Sequence, residues 1–162
     1  MVGGRDRYQT ALALVNQGLR AQQQGALEQA VELYRRSLAL APTAEAHTYL
    51  GWALSYQGEL EEAIAQCRQA IALDPTFGNP YNDIGVYLMQ QGRSEEAIPW
   101  LEQAKHAPRY EPRHYPYINL ARIYAASGQL VRAVRELEGA LALVPQNGEL
   151  QEQLEELRRR LN

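Results

Sequence analysis

The sequence of 162 residues contains a single cysteine, Cys67, so no disulfide bond can form within the chain. The number of cysteines therefore does not indicate whether the protein works in an oxidising or a reducing compartment. Free cysteine behaves as a small hydrophobic residue and is usually buried. We therefore expect Cys67 to lie in a packed interior, and a reactive thiol is the alternative.

The chain also lacks a strong charge of either sign, with a formal net charge of −3 and a pI near 5.7. Nucleic-acid binding usually requires a basic face, so we expect no nucleic-acid partner. No stretch approaches the ~18 apolar residues of a membrane span, and Met1 to Asp6 lacks the apolar core of a signal peptide. We therefore expect no membrane insertion and a cytoplasmic location.

Motifs of catalysis are missing as well. The sequence has no phosphate-binding loop and no nucleophile motif. His106 and His114 lie eight residues apart with no cysteine between them, whereas zinc needs three or four convergent ligands. We expect that the protein is not an enzyme and that it has no catalytic residues, no cofactors and no metal, with a site at these two histidines as the minor alternative.

A repeated pattern of small residues dominates the chain. Three series step by 33, 34 and 36 residues, and each series places a small residue or a turn glycine at an equivalent position. The series are Gly18, Gly51, Gly85 and Ala121; then Gly25, Gly58, Gly92 and Gly128; then Ala30, Ala63, Ala97 and Ala133. A period near 34 that combines two short amphipathic helices with a turn is typical of a helical solenoid.

On these residues the chain resembles the tetratricopeptide repeat (TPR) family over roughly residues 8 to 145. The resemblance implies an all-α fold, a right-handed superhelical solenoid of helix-turn-helix repeats in a single domain. The repeats would cover about 8–43, 44–77, 78–113 and 114–147. Residues 148–162 carry one narrow leucine stripe and are expected to form a capping helix that covers the last core face.

Local signals predict where several helices begin. Asp6 is expected to cap the first helix after a frayed Met1 to Arg5, and Ser94 is expected to cap the sixth. Asn79 followed by Pro80 is a helix-start signal. Pro99 falls inside a helix and is expected to bend it slightly.

The segment from His106 to Tyr115 departs from the repeat and contains Pro108 and Pro112. Proline favours extended backbone in the preceding residue, which predicts a rigid linker that shifts the last repeat. The alternative is a protruding contact loop in which Tyr110, Arg113 and His114 meet a partner.

In TPR proteins the first helix of each repeat lines a concave groove, so its outer positions are the candidate binding residues. Helical spacing assigns twelve of them. They are Leu12, Val15, Leu19, Tyr49, Trp52, Tyr56, Asn82, Val86, Met89, Tyr115, Asn119 and Arg122. An exposed aromatic cluster usually marks a contact site, although Trp52 could instead pack against the next repeat. Asn82, Asn119 and Arg122 could hydrogen-bond a peptide backbone or a carboxylate.

Co-chaperone TPR domains hold a C-terminal carboxylate with lysines, asparagines and an arginine. The matching positions here are Val15, Leu19, Tyr49, Asn79 and Asp83, and none is basic. The resemblance therefore implies an apolar or mixed peptide as the ligand.

Three hypotheses about function remain open. The first is a non-enzymatic interaction module or scaffold that binds a protein or peptide in the groove. The second is a homo-oligomer built through an exposed stripe of Leu12, Val15 and Leu19. The third is an assembly factor, because NDIGVYLMQQG and the lengthened junction also resemble TPR pilotins of type IV pilus secretins.

Overall fold

The computed structural model describes residues 2–162, which form nine α-helices and contain no β-sheet. The helices are α1 Val2–Gln23, α2 Leu27–Leu40, α3 Ala44–Tyr56, α4 Leu60–Leu73, α5 Asn79–Gln90, α6 Ser94–His106, α7 Tyr115–Ala126, α8 Leu130–Leu143 and α9 Gly148–Leu161. Across residues 2–162, no helix is both long enough and apolar enough to cross a bilayer.

The helices form a solenoid in which contacts run mainly between sequence neighbours. Four pairs, α1 with α2 through α7 with α8, are the most extensive contacts, and α9 packs on α8. The first helices also touch one another directly, because α1 contacts α3, α3 contacts α5 and α5 contacts α7. No comparable series joins the second helices among residues 2–162. The first helices therefore form the inner, concave side of the array.

The same tight turn joins the two helices of every pair. At Gly58 the backbone has a φ of 83°, in the left-handed region that glycine adopts without steric cost. The Gly58 N–H donates to the Ser55 carbonyl and the Glu59 N–H donates to the Leu54 carbonyl, both at 3.0 Å. This pattern satisfies carbonyls at the helix end that would otherwise lack partners. The four turn glycines predicted from the sequence all have positive φ.

Close approach of paired helices occurs at the small residues. A Cβ placed on Gly51 would lie 3.0 Å from the Ala63 carbonyl oxygen and 3.3 Å from the Cys67 sulfur. A Cβ on Gly85 would lie 2.5 Å from a methyl carbon of Leu101. Larger side chains would push the helices apart, because protein interiors are close-packed. The helix pairs therefore depend on these positions staying small.

The structure corrects two predicted helix starts. Helix α1 begins at Val2, so Asp6 lies inside it and accepts a hydrogen bond at its backbone carbonyl from the Thr10 hydroxyl (2.8 Å). The predicted fraying of Val2 to Arg5 is therefore wrong, and Met1 lies outside the described residues. Ser94 is the first residue of α6 and its side chain makes no capping bond. Pro99 lies within α6, which continues to His106 because a proline removes only one intrahelical bond here.

The segment between α6 and α7 folds back on the junction of the second and third repeats. The Arg109 N–H donates to the Thr76 carbonyl at 3.0 Å, and the Gly78 N–H donates to the Arg109 carbonyl at 2.9 Å. Tyr110 is buried against Gly78, where any Cβ would collide with its ring. The hypothesis of a protruding loop that presents Tyr110 is therefore wrong.

Arg109 ties this segment to two helices at once. Its guanidinium lies 2.6 Å from the Asp74 carboxylate and 3.0 Å from that of Glu45, and it stacks over the Phe77 ring at 4.2 Å. Hydrogen bonds from Thr76 and Arg109 lower the pKa of Asp74 to about 2. These contacts stabilise the irregular segment without a protein partner.

A buried ion pair joins the third and fourth repeats. The Lys105 ammonium, whose side chain is 8% exposed, lies 2.7 Å from Glu136 and 3.1 Å from Glu102. It also lies 4.6 Å from the centre of the Tyr117 ring. Burial opposes the charge of Lys105, but hydrogen bonds to Glu136 and Glu102 outweigh it and raise its pKa. The only lysine of the chain is therefore a structural residue.

Removing one partner of this pair should destabilise the fold strongly. Lys105→Met leaves the 15% exposed Glu136 carboxylate uncompensated, so we expect a loss of about 3 kcal/mol in the free energy of unfolding. Urea denaturation measures it. Lys105→Met combined with Glu136→Leu should recover most of the loss. The control Arg158→Met breaks the exposed pair with Glu138 and should cost less than about 1 kcal/mol. Equal losses for both single variants would contradict the assignment.

Candidate functional site

An exposed aromatic pair lies on the concave side, on the first helix of the second repeat. Trp52 is 42% exposed and Tyr56, one helical turn later, is 62% exposed. Their ring centres are 5.8 Å apart with the planes tilted by 52°. Tyr49, predicted to join them, is half-buried and instead stacks on Tyr34 of α2 at 6.0 Å. The exposed aromatic cluster on α3 therefore consists of two rings.

The remaining predicted residues differ in their exposure. Leu12, Tyr115 and Arg122 are exposed, Leu19, Val86 and Met89 are half-buried, and Val15, Asn82 and Asn119 are buried. Val15 is 7% exposed because it packs into the main hydrophobic core. The predicted exposed stripe on α1 therefore lacks its middle residue.

The two predicted asparagines bond to each other. The Asn119 amide nitrogen on α7 donates to the Asn82 amide oxygen on α5 at 3.0 Å, and both residues are buried. A buried polar group costs free energy unless it is paired, so this bond helps to fix the register of the third and fourth repeats. The bond uses the Asn119 amide nitrogen and the Asn82 amide oxygen, which were predicted to hydrogen-bond a ligand.

A depression of about 450 Å³ lies at the C-terminal end of the concave side, between α7 and α9. Ile118, Ala125 and Leu157 supply apolar surface. Arg122, which the sequence placed in the groove, lines it together with Glu152. The leucine stripe of α9 predicted only a cover for the core. The spacing of Glu152 and Glu156 on one helical face was the signal that it also borders the groove.

Asp83, a carboxylate without an ion-pair partner, lies on the inner helix α5, away from this depression. It is half-buried, and none of the lysines or arginines within residues 2–162 lies within 4 Å of it. Burial raises the pKa of Asp83 to about 7, although a hydrogen bond from Asn82 partly opposes the shift. Without a positive partner, a carboxylate in this position lowers the stability of the fold when it is charged.

Uncharged groups surround Asp83. Burial, and secondly the charge of Asp83, raise the pKa of Cys67 on α4, of Tyr87 on α5 and of Tyr110 before α7. Cys67 is fully buried with its thiol protonated, which fits a structural role. The Tyr87 hydroxyl is buried without a hydrogen-bond partner, although Ser55 lies close enough to moderate its shift.

The histidines make side-chain contacts that do not converge. His47 Nδ1 lies 2.7 Å from the Gln66 amide oxygen, and His114 lies against the Tyr115 ring with centres 4.4 Å apart. Residues 2–162 contain no group of three or more His, Cys, Asp or Glu side chains arranged to hold a metal ion.

Comparison with known families identifies the repeats. Models described as "Tetratricopeptide repeat" match residues 44–77, 81–106 and 117–151. These ranges cover the second, third and fourth helix pairs. Among curated proteins, no relative matches the sequence of this chain.

Solved structures share the architecture. PilF of Pseudomonas aeruginosa has a TM-score of 0.88 and 26% identity, over 96% of this chain and 70% of that chain. PilW, a type IV pilus biogenesis factor, has a TM-score of 0.82 and 20% identity, over 93% and 70%. The second TPR of Spaghetti (RPAP3), bound to an HSP90 peptide, has a TM-score of 0.62 and 24% identity, over 66% and 99%. The last two likenesses concern the fold alone.

The raised pKa of Asp83 predicts a pH-dependent stability. Between its ordinary value of 3.8 and about 7, the folded protein holds a proton that the unfolded chain has released. The free energy of unfolding should therefore fall as the pH rises through this window. Asp83→Asn removes the effect, so the variant should be more stable than the wild type at pH 8, by more than about 1 kcal/mol.

Urea denaturation at pH 4 and at pH 8 measures this difference. At pH 4 the advantage of Asp83→Asn should largely vanish, because Asp83 is then mostly neutral in the folded state and only partly charged in the unfolded one. The groups facing Asp83, which are Cys67, Tyr87 and Tyr110, stay neutral across the range, since their pKa values are raised. An equal difference at the two pH values would contradict the assignment.

Proposed function

The chain belongs to the tetratricopeptide repeat family, and we propose that it is a non-enzymatic interaction module that binds a peptide or protein segment along its concave side. The observation that carries the proposal is the exposed pair Trp52 and Tyr56 on that side. Large aromatic side chains left in water next to each other are typical of contact sites.

The exposed area of the pair is large enough to matter. At 42% and 62% exposure, the two rings leave roughly 200 Å² to be covered, since such side chains bury about 150–250 Å² each. At about 25 cal/mol per Å², covering them would contribute up to ~5 kcal/mol before the costs of association. Arg122, at the edge of the C-terminal depression, would then help to set the register of the ligand.

The proposed ligand is an apolar or mixed peptide and is not one held by its C-terminal carboxylate. Clamping of a C-terminal carboxylate needs basic residues, and the corresponding positions here hold Val15, Leu19, Tyr49, Asn79 and Asp83. The HSP90 peptide bound by the Spaghetti domain is therefore a poor guide to the ligand of this chain.

A second candidate function is an assembly factor of a type IV pilus. The similarity to PilF favours it, because that protein is 26% identical over 96% of this chain. Self-association is a further alternative, since Tyr8 and Leu12 are exposed one turn apart on α1. A cytoplasmic location remains a prediction from the sequence.

Truncation of the aromatic pair tests the proposal. Trp52→Ala combined with Tyr56→Ala should abolish capture of the physiological partner in a pull-down, with a loss of affinity above about a hundredfold once the partner is purified. Helical circular dichroism should stay unchanged, since both side chains are exposed. Mass spectrometry of the captured protein then distinguishes a pilus component, a second copy of the chain and another partner.

A matched control removes apolar surface elsewhere. Leu73→Ala combined with Val131→Ala truncates two side chains that are 50% and 54% exposed but belong to the second helices α4 and α8. This variant should bind normally. Binding that survives the aromatic truncation, or is lost equally in the control, would rule out the concave side as the site.

A further inference from the structure

Asp83 differs from the other partly buried carboxylates in residues 2–162 because it has no ion-pair partner. Among residues 2–162, six carboxylates are neither buried nor fully exposed. Five form ion pairs: Glu45 and Asp74 with Arg109, Glu62 with Arg35, and Glu102 and Glu136 with Lys105. Asp83 has no such partner in that part of the chain. Apart from the hydrogen bond from Asn82, no positive charge in residues 2–162 compensates its burial.

A second acceptor lies near Asp83 and is also unused. Tyr87 is only 3% exposed, and its hydroxyl makes no hydrogen bond among residues 2–162. Asp83 and Tyr87 are four residues apart on α5 and therefore share one face of the helix, and the charge of Asp83 contributes to the raised pKa of Tyr87. Buried polar groups are nearly always hydrogen-bonded, so an orphaned one next to an unpaired carboxylate needs an explanation.

The position of the two groups connects them to the aromatic pair. Tyr56 also contributes to the raised pKa of Tyr87, so Tyr87 lies near the exposed pair as well. Asp83 follows Asn82, which points its amide oxygen toward Asn119 of α7. Asp83 itself lies on the inner helix α5, its charge acts on Cys67 of α4 in the second repeat, and it keeps some exposure to solvent.

We propose that Asp83 is the recognition site for a basic side chain, arginine or lysine, carried by the segment that binds the concave side. This inference rests on the function proposed above and specifies the chemistry of the ligand. A guanidinium or an ammonium group donates several hydrogen bonds and accepts none, so it can supply both the charge and the donors that the Asp83 carboxylate lacks. Such charge-assisted bonds are about twice as strong as neutral ones.

The cost of keeping Asp83 supports this role over a purely structural one. An uncompensated carboxylate lowers the stability of the folded protein, whereas the isosteric amide introduced by Asp83→Asn would not carry that cost. Groups whose ionisation is strongly perturbed by burial are found preferentially at functional sites. A ligand cation would supply the missing charge, in the way that Lys105 does for Glu136.

Blocked peptides test the proposal without knowledge of the natural partner. The probes are acetylated and amidated pentapeptides of sequence Ser-Leu-X-Leu-Ser, where X is arginine, lysine, citrulline or glutamate. Titrations are followed by NMR, using the indole N–H of Trp52 and the side-chain amides of Asn82 and Asn119. We expect the arginine and lysine peptides to bind at least about tenfold more tightly than the citrulline and glutamate peptides.

Asp83→Asn should abolish that preference at pH 8. The matched control Asp6→Asn removes the same charge from an exposed position on α1 and should retain the preference. Since Asp83→Asn is expected to be the more stable protein at this pH, loss of fold does not explain a loss of binding. The comparison of arginine with lysine shows which cation the site prefers.

Two results would overturn the inference, and they bear differently on the proposed function. If all four peptides shift the Trp52 resonance equally in the wild type, the concave side binds peptides but Asp83 does not select a cation. If the preference for arginine and lysine persists in Asp83→Asn, the cation lies elsewhere. Absence of any shift with the basic peptides at millimolar concentration would also contradict the cation site, while the pull-down with the aromatic variant decides the proposed function separately.

Discussion

The contact between two backbones at Gly51 is the constraint on which the rest of the structure depends. A Cβ there would lie 3.0 Å from the Ala63 carbonyl oxygen, and a backbone oxygen cannot move aside as a flexible side chain can. The absence of a side chain lets α3 and α4 pack closely. The equivalent contact at Gly85 brings α5 against Leu101 of α6. Because the two helices of each pair pack closely, neighbouring pairs can stack so that successive first helices touch one another on one side of the array.

That arrangement separates the structural residues from those available to a partner. Lys105, Glu136, Arg109 and Tyr110 stabilise the junctions between repeats and are occupied within the protein. The inner helices retain groups that the fold does not use, among them the exposed aromatic pair of α3 and the carboxylate of Asp83. In the proposed function, the rings would supply binding energy and the charge would supply selectivity. The proposed function and the proposed cation site are thus two aspects of the same surface.

The sequence predicted the repeat architecture well because it depends on local features that recur at a fixed period. The four turn glycines and the small residues of the helix pairs could all be identified from spacing. Predictions that depended on packing between repeats were less successful. Val15 and Tyr49 share a helical face with exposed residues, yet the neighbouring helices cover them. The pairing of Asn82 with Asn119 joins residues 37 positions apart, which helical spacing within one helix cannot reveal.

The most direct test of the account is the stability of Gly51→Val compared with Gly148→Val. A valine side chain at Gly51 would push α3 away from the Ala63 carbonyl of α4. A Cβ at Gly148 would meet no atom within 4 Å. Urea denaturation should show a loss of about 2 kcal/mol or more in the free energy of unfolding for Gly51→Val, and a much smaller change for Gly148→Val. Equal stability of the two variants would contradict the claim that close backbone contact within the helix pairs determines the array.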